Sequence, residues 1–273
     1  MNYRHAFHAG NFADCMKHAL LFWIFRAMQK KLGGVFVLDT HAGAAVYDLA
    51  ATPPGPEGEW RGGIGRIGPA AAPVLAEWRG FAMAGSHYRG SPALLAAMLR
   101  PQDRLACCEL RAEEAAELKR RLRRQRAEVH VRDGWLALGA LLPPTGDLRR
   151  ALVLIDPPYE EEEDYARLAE GLALAQKRFP AAVLAGWYPV KQRARVRTLH
   201  ADVCARGLRD VLAAELWLRE PIDPARLAGC GLLVANAPWG FAGAAKDMLA
   251  ALLGLLGDGG ADAATVVERL ADE

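Results

Sequence analysis

Carboxylate side chains close four successive apolar runs, each typical of a β-strand: the four acids are Asp39, Glu109, Asp133 and Asp156. Strands of this kind, separated by helical patterns, form a parallel sheet whose carboxyl ends share one edge, and ligands bind at that edge. Any one of these acids alone is explained as a strand-end capping residue. Four together repel one another unless a ligand supplies hydroxyl groups or positive charge. A nucleoside with a ribose diol and a cationic centre fits this row of carboxylates.

The residues after the first strand argue against two common nucleotide sites. Thr40-His41-Ala42-Gly43 follows Asp39, where a dinucleotide site has Gly-x-Gly-x-x-Gly. The chain also has no Walker A sequence. The predicted ligand is therefore a nucleoside whose binding does not depend on a pyrophosphate cradle.

The fourth strand runs directly into Asp156-Pro157-Pro158-Tyr159. Two consecutive prolines fix φ and remove two backbone N–H donors, so the chain leaves the sheet in a stiff turn. The Asp156 carboxylate and the Pro157 carbonyl are then acceptors that no neighbouring N–H group opposes. Such a pair fits the –NH2 group of a flat ring, on which Tyr159 can stack. A rigid structural turn is the alternative interpretation of the same four residues.

The elements that must position these residues alternate along the chain. Apolar runs that indicate strands occupy 35–39, 105–109, 129–133, 151–156, 182–188, 211–218 and 231–236. Helical spacing covers 11–31, with Asn11 as the predicted N-cap, and also 112–125, 165–179, 190–205 and 242–256. This alternation predicts a doubly wound α/β domain, and 273 residues suffice for one such domain with a small insertion.

The interval 47–90 interrupts this alternation, because the second strand follows the first after about twice the usual spacing of a βαβ unit. It contains Pro53, Pro54 and Pro56, the sequence Gly58-Glu59-Trp60-Arg61-Gly62-Gly63, and a helical stretch at 70–81. We interpret it as a small helical insertion that forms a lid or a substrate-facing surface. A second wall of the core is the alternative interpretation.

Composition limits the partners and the compartment. The formal net charge of +2 is only mildly basic, so nucleic acid binding requires a local patch. Five cysteines without metal-ligand spacing indicate reduced thiols. His5, His8 and His18 fit no common zinc site, and we expect no metal. No apolar stretch is long enough to span a bilayer and the first residues do not form a signal peptide, so we expect a cytoplasmic protein.

The turn after the fourth strand is similar to the (Asp/Asn)-Pro-Pro-Tyr motif of amino-methyltransferases. Nearly the whole chain resembles the 23S ribosomal RNA adenine-N6 methyltransferase family known as RlmJ. The most specific block is 3–11, and it continues through Ala13-Asp14 and Lys17-His18. Further similar segments are 38–43, 88–92, 109–110, 133–134, 154–159, 187–190 and 236–239. Ala44-Ala45 and Ala237 depart from the family pattern.

The resemblance implies a Rossmann-like class I methyltransferase fold with a mostly parallel seven-stranded sheet. It implies a methyltransferase domain at 1–46 and 91–273, the small helical insertion at 47–90, and a segment 1–18 that contacts RNA and cofactor. The implied cofactor is S-adenosyl-L-methionine. The residues implied to bind it are Lys17, His18, Asp39, His41, Ser91, Glu109, Asp133, Gly134 and Asp156.

Within that set the resemblance implies separate roles. Glu109 accepts hydrogen bonds from the ribose hydroxyls, and Asp133 with Gly134 contacts the adenine. The methionine end is lined by His18, His41 and Ser91, with Lys17 as a partner for its carboxylate. The implied catalytic residues are Asp156, Pro157 and Tyr159, and the implied RNA contacts are Tyr3 and Arg4.

The implied reaction is methylation of the exocyclic N6 of one adenine in 23S ribosomal RNA by a monomer that needs neither a membrane nor a metal. The turn itself also fits guanine-N2, cytosine-N4 or a protein glutamine amide, and a non-catalytic RNA-binding protein is a third hypothesis. Two basic groups are candidate phosphate contacts. The group at 119–126 lies on one helix, whereas Lys191, Arg193, Arg195 and Arg197 begin at the carboxyl edge and are the better candidates.

Overall fold

The computed structural model describes residues 8–51, 58–161, 163–260 and 262–272. In these ranges the strands are β1 (Phe36–Asp39), β2 (Val46–Asp48), β3 (Met83–Ala84), β4 (His87–Arg89), β5 (Arg104–Glu109), β6 (Ala127–Val131), β7 (Ala151–Ile155), β8 (Val183–Val190), β9 (Val211–Trp217), β10 (Gly229–Ala235) and β11 (Ala264–Ala271). The α-helices are α1 (Phe12–Gln29), α2 (Pro73–Ala82), α3 (Ser91–Met98), α4 (Ala112–Leu122), α5 (Gly134–Leu141), α6 (Asp164–Arg178), α7 (Arg193–Ala205) and α8 (Phe241–Leu256).

Within the described residues, eight of these strands form the main sheet in the order β11-β9-β10-β8-β7-β1-β5-β6. The pairs β8–β7, β7–β1, β1–β5 and β5–β6 are parallel, and β10 runs antiparallel to both of its neighbours. The predicted α/β class with a mostly parallel sheet is confirmed. The chain crosses from β6 back to β7, so the order reverses between β7 and β1, where such sheets bind ligands.

The eighth strand, β11, is one more than the sequence predicts. It pairs antiparallel with β9 at the edge of the sheet, and it has no fully buried residue. Glu268 and Arg269 interrupt its apolar residues, which is a common property of edge strands. A search for continuous apolar runs therefore misses it.

Side chains alternate between two hydrophobic clusters on the two faces of the sheet. Val37 and Leu154 belong to the cluster that contains residues of α1, α3 and α8. Leu38 and Val153 belong to the cluster that contains residues of α5, α6 and α7. Burial on both faces explains why these strands are apolar throughout instead of alternating apolar with polar residues.

Helix α1 begins where the sequence predicts, because Asn11 accepts a hydrogen bond from the Asp14 amide at 2.9 Å. Such a cap satisfies one of the four amides that the first turn leaves without a partner. Most of the helix is buried, including the polar residues Asp14, Lys17 and His18. The burial of three polar side chains on one helix requires partners from elsewhere in the chain.

The segment 47–90 contains α2 at the predicted place, together with a three-stranded antiparallel sheet in the order β2-β4-β3 that the sequence did not predict. Strands of two or three residues are too short for a periodicity to indicate them. Trp78 and Tyr88 are fully buried and share one hydrophobic cluster with α1. The segment thus packs as a wall of the core, which is the alternative stated above, and its separation as a domain stays a prediction. No helix among the described residues has the length and apolar character to cross a membrane.

Candidate active site

The four strand-end acids lie along one edge of the main sheet. Asp39 and Glu109 are the last residues of β1 and β5. Asp156 follows β7 by one residue, and Asp133 follows β6 by two. The strand order β7-β1-β5-β6 therefore arranges them as Asp156, Asp39, Glu109 and Asp133 from one side of the site to the other.

Asp39 is fully buried at the centre of this row. Its Oδ2 accepts a hydrogen bond from Ser91 Oγ at 2.7 Å, and Ser91 is held there as the first residue of α3. Burial, together with the charge of Asp156, raises the pKa of Asp39 to about 7, although the hydrogen bonds from Ser91 and the His41 amide oppose the rise. Asp39 Oδ1 is buried and has no hydrogen-bond partner among the described residues. A donor from a ligand would satisfy that oxygen.

Glu109 is half-buried and bridges two loops. Its Oε2 accepts from the Gly43 amide at 3.0 Å, and its Oε1 accepts from the Arg111 amide at 2.8 Å. Gly43 has a φ of +62°, a left-handed conformation that favours glycine. Each carboxylate oxygen keeps a second lone pair, so Glu109 can accept two ribose hydroxyls without losing these bonds.

Asp133 caps α5, because its Oδ1 accepts from the amides of Trp135 at 2.7 Å and Leu136 at 3.1 Å. Its Oδ2 lies 3.9 Å from the guanidinium of Arg167 and is the oxygen left for a ligand. At Gly134 a Cβ would lie 2.1 Å from the carbonyl oxygen of Thr40. Only glycine lets the start of α5 approach the loop after β1 so closely.

His41 lies in that loop, where its Nδ1 is 2.7 Å from Thr40 Oγ1 and its ring meets the Trp135 ring edge-on. Burial lowers the pKa of His41 to about 4, although the charge of Asp133 opposes the shift. The imidazole is therefore neutral near pH 7, and it adds no positive charge to a site predicted for a cation.

Lys17 joins the acceptor turn to α1. Its Nζ lies 2.6 Å from Asp156 Oδ2 and 3.0 Å from Asp14 Oδ1, with only 4% of the side chain exposed. Burial alone would lower the pKa of Lys17, but the two carboxylates outweigh it and hold that pKa above its ordinary range. The sequence prediction placed Lys17 at the methionine carboxylate, whereas the structure pairs it with the carboxylate predicted to accept the target amine.

The acceptor turn has the properties that its two prolines predict. Pro157 is buried and its carbonyl accepts no hydrogen bond within the described part of the chain. Tyr159 has a φ of +53°, and its hydroxyl donates to the Trp187 carbonyl at 2.6 Å. Its ring meets those of Tyr165 and Trp187 edge-on, with centroids 4.9 and 5.6 Å apart. These contacts fix the ring beside Asp156.

The remaining predicted residues divide into two groups. Tyr3 and Arg4, predicted to contact RNA, lie outside the described residues. His18 is buried, and its Nδ1 lies 2.6 Å from the Tyr88 hydroxyl. His8 instead approaches Glu59 Oε1 at 3.0 Å. No group of three His, Cys, Asp or Glu side chains in the described ranges is arranged to hold a metal ion.

These residues fit S-adenosylmethionine. The orphaned Asp39 Oδ1 is an acceptor for a cationic group, and Glu109 is an acceptor for hydroxyls. Leu110 directly follows Glu109, Leu136 lies three residues after Asp133, and the two leucines are 66% and 71% exposed. Exposed leucines at a ligand-binding edge offer apolar surface to a flat ring such as adenine.

Comparison with known proteins identifies the family of this chain. A family model described as ribosomal RNA large subunit methyltransferase D, RlmJ, matches residues 33–267. This chain belongs to that family. It is similar to ribosomal RNA large subunit methyltransferase J of Escherichia coli (strain K12), at 36% identity over 249 residues that cover 88% of each chain. The protein of that name from Haemophilus influenzae is 34% identical over 91% of this chain and 92% of its own.

A solved structure supports the fold of nearly the whole chain. Protein LPL1258 from Legionella pneumophila is 29% identical and superposes with a TM-score of 0.86, covering 96% of this chain and 98% of its own. The resemblance to the RlmJ family is confirmed, and the mixed α/β domain described here is the fold of a methyltransferase family.

Two site residues were not predicted from the sequence. Asp14 is buried and is the second carboxylate on Lys17, and Trp187 has its ring 5.3 Å from Lys17 Nζ. Asp14 precedes Lys17 by three residues, the spacing of neighbours on one helix face, so this pair could have been predicted. Trp187 lies 170 positions away along the chain, and no local signal connects it to α1.

Proposed function

We propose that this protein transfers a methyl group from S-adenosyl-L-methionine to the exocyclic N6 of an adenine in 23S ribosomal RNA. The observation that carries the proposal is the pairing of an acceptor turn with an acidic cleft. Asp156 and the unoccupied carbonyl of Pro157 lie at the same sheet edge as Asp39 and Glu109. The relatives named ribosomal RNA large subunit methyltransferase J support ribosomal RNA as the substrate. Adenine-N6 as the acceptor rests on the family resemblance.

The acceptor turn addresses the chief difficulty of this reaction, which is that the adenine amino lone pair is delocalised into the ring. Hydrogen bonds from the –NH2 to Asp156 and to the Pro157 carbonyl favour a pyramidal nitrogen and stabilise its developing positive charge. Lys17 Nζ donates to Asp156 Oδ2 at 2.6 Å and fixes the position of this carboxylate. S-adenosylmethionine supplies an electrophilic methyl group on a sulfonium, and positioning supplies much of the rate.

The cofactor roles are proposed on the contacts in the cleft. Asp39, supported by Ser91, has a free buried oxygen for a cationic group, and His41 lies beside it as a neutral side chain. Glu109 has lone pairs for the ribose, and Asp133 Oδ2 is the oxygen that the α5 cap leaves for the adenine, next to the close approach at Gly134. His18 is assigned to the methionine end by resemblance alone.

We extend the proposal to the setting of the reaction. The protein acts in the cytoplasm as a monomer, without a metal, and the segment 1–18 contacts RNA through Tyr3 and Arg4. The segment 47–90 supports the start of α1, as its packing against that helix suggests. The target base must leave its stack, which costs a few kcal/mol in a duplex and less in a loop.

The direct test is incubation of the purified protein with labelled S-adenosylmethionine and unmodified 23S RNA, followed by nucleoside analysis. We expect label in N6-methyladenosine. Label in N2-methylguanosine or N4-methylcytidine would show that the protein transfers methyl groups to an amino group, but that the accepting base is guanine or cytosine. Cofactor binding with no label in RNA would contradict the proposal.

The variant Asp156→Ala tests the acceptor turn. We expect the methylation rate to fall at least about 100-fold, the scale observed when one preorganised transition-state contact is removed. Cofactor affinity should change little. Asp247→Ala is the matched control, because Asp247 is an exposed aspartate on α8. Turnover that persists in Asp156→Ala would show that this carboxylate is not the acceptor.

A further inference from the structure

A second cleft lies beside the acceptor turn, on the side away from the cofactor acids. Its volume is about 280 Å³. Its lining includes Tyr159 and Tyr165, Pro189 near the end of β8, Lys191 just before α7, and Arg195 in the first turn of α7. In the sheet, β8 flanks β7 on one side and β1 flanks it on the other. The cleft and the cofactor site therefore lie on opposite sides of Asp156.

The aromatic side of the cleft is rigid. The Tyr159 hydroxyl donates to the Trp187 carbonyl at 2.6 Å, and the Tyr165 hydroxyl donates to the Pro189 carbonyl at 2.9 Å. Burial raises the pKa of Tyr165 to about 12, with Arg195 opposing the rise, so the hydroxyl stays protonated and keeps donating. Because both hydroxyls are used internally, the rings offer a ligand their carbon surfaces.

The polar side of the cleft carries both signs of charge. Lys191 forms no ion pair or side-chain hydrogen bond within the described part of the chain, although it is only partly exposed. Arg195 Nε donates to Gln192 Oε1 at 3.0 Å, which directs the guanidinium along the first turn of α7. Glu160 and Glu161 also line the cleft. These carboxylates would repel a free anion. A nucleotide instead offers a phosphate to the cations and base N–H groups to the carboxylates.

The volume of the cleft and the chemistry of its lining both fit a single nucleotide. Ligand pockets begin at about 300 Å³, so this cleft has room for a single unit of an RNA strand and not for several. Aromatic rings combined with cationic side chains are the usual platform for single-stranded nucleic acid. Tyr159 belongs both to the cleft and to the acceptor turn, so an occupant of the cleft is a direct neighbour of the target base.

We propose that this cleft binds the nucleotide adjacent to the target adenine, with its phosphate on Lys191 and Arg195 and its base against Tyr165. The inference rests on the proposed function, because the occupant belongs to the same RNA strand. Binding the neighbour beside the acceptor turn favours the strand in which the target base is unstacked, and it offsets part of the cost of unstacking. Lys191 and Tyr165 are thus RNA-binding residues that act on affinity, whereas Asp156 acts on the methyl transfer itself.

The test uses a fluorescent fragment of 23S RNA that contains the adenine methylated by the wild type. Its affinity is measured at several potassium chloride concentrations for the wild type and single variants. Lys191→Ala should weaken binding about threefold to tenfold and lower the slope of log affinity against log salt by about one, as the loss of one phosphate contact predicts. Lys246→Ala, at an exposed lysine of α8, is the matched control and should change neither quantity.

Two variants of Tyr165 distinguish a loss of base stacking from a loss of folding. Tyr165→Ala should weaken binding about 5- to 100-fold, the range for loss of one base–aromatic stack, with the salt slope unchanged. Tyr165→Phe keeps the ring and should bind within about twofold of the wild type, by the same estimate. At saturating RNA the single-turnover methylation rate of the exposed-site control Lys246→Ala should match the wild type. Thermal unfolding identifies any variant that has lost its fold.

The outcomes distinguish the two proposals. The cleft assignment alone is overturned if the wild type methylates adenine but folded Lys191→Ala binds RNA as tightly as Lys246→Ala. Tyr165→Phe must also be folded in that comparison. Equal losses in Tyr165→Ala and Tyr165→Phe would assign the effect to the hydroxyl bond with Pro189 and would also overturn it. A wild type that neither binds nor methylates the RNA overturns both proposals.

Discussion

Replacing Lys17 by methionine removes the cation that contacts the buried carboxylate of Asp14 and the largely buried carboxylate of Asp156. Its Nζ lies 2.6 Å from Asp156 and 3.0 Å from Asp14, and the exposed fractions of the three side chains are 4%, 11% and 5%. Methionine fills most of the same space, so the chief effect is electrostatic. Breaking a buried ion pair by removal of one partner costs about 3–5 kcal/mol.

The cost should depend on pH in a defined direction. In Lys17→Met the two carboxyl groups keep their burial but have no cation, and burial without a cation disfavours the charged form of a carboxyl group. The folded state then binds more protons than the unfolded state, so stability falls as pH increases through this window. The free energy of unfolding that Lys17→Met loses relative to the wild type should therefore be smaller at pH 5 than at pH 7.

Chemical denaturation at pH 5 and pH 7 measures the loss in free energy of unfolding and its dependence on pH. At pH 7 we expect a loss of about 3–5 kcal/mol, or about 6 to 20 °C in midpoint temperature for a chain of this size class. Lys30→Met, at an exposed position that ends the same helix, should stay within about 0.5 kcal/mol. Adding Asp14→Asn to Lys17→Met should restore part of the loss. A Lys17→Met loss below about 1 kcal/mol that is equal at both pH values would refute the reasoning.

Two further predictions concern the cofactor cleft. Burial raises the pKa of Asp39 to about 7 from an ordinary value of 3.8, so the wild type loses stability as pH rises between these values. Asp39→Asn should therefore gain stability relative to the wild type from pH 5 to pH 8 in urea titrations, and a constant difference would contradict this. Gly134→Ala places a Cβ 2.1 Å from the Thr40 carbonyl, so calorimetry should show cofactor binding at least tenfold weaker and unfolding about 1–3 kcal/mol easier. Gly139→Ala, on the same helix with nothing near its Cβ, should stabilise by up to about 1 kcal/mol, and similar losses in both variants would exclude the close approach as the cause.

The sequence predicted those parts of the site that depend on local pattern. The N-cap at Asn11 gave the start of α1, and the apolar runs gave seven strands of the main sheet within a few residues. Because parallel strands end at one edge, the acids that close four of these runs had to lie near one another. This reasoning needs only strand direction, which a chain of alternating strands and helices imposes.

Local sequence patterns do not predict contacts between segments that are far apart along the chain. Lys17 and Asp156 are separated by 139 residues, and neither apolar period nor capping residue relates α1 to the end of β7. Buried polar residues on α1 were the available signal, but helical spacing does not say which partner satisfies them. Helices α3 and α5 were also missed, because each has only eight residues and its apolar positions show little preference for one face.

The segment 47–90 gains a specific structural role from its contacts with the residues that precede α1. Glu59 accepts a hydrogen bond from Asn11 Nδ2 at 2.9 Å, and the amide of Ile64 donates to the Gly10 carbonyl at 2.9 Å. A Cβ at Gly63 would lie 2.1 Å from that same carbonyl, so the two backbones touch. Gly10 in turn donates its amide to Asp14 Oδ2 at 2.9 Å, and Asp14 contacts Lys17. A continuous series of contacts therefore runs from the inserted segment through the start of α1 to Asp156, which explains why an apparent interruption of the α/β alternation packs into the core beside the acceptor turn.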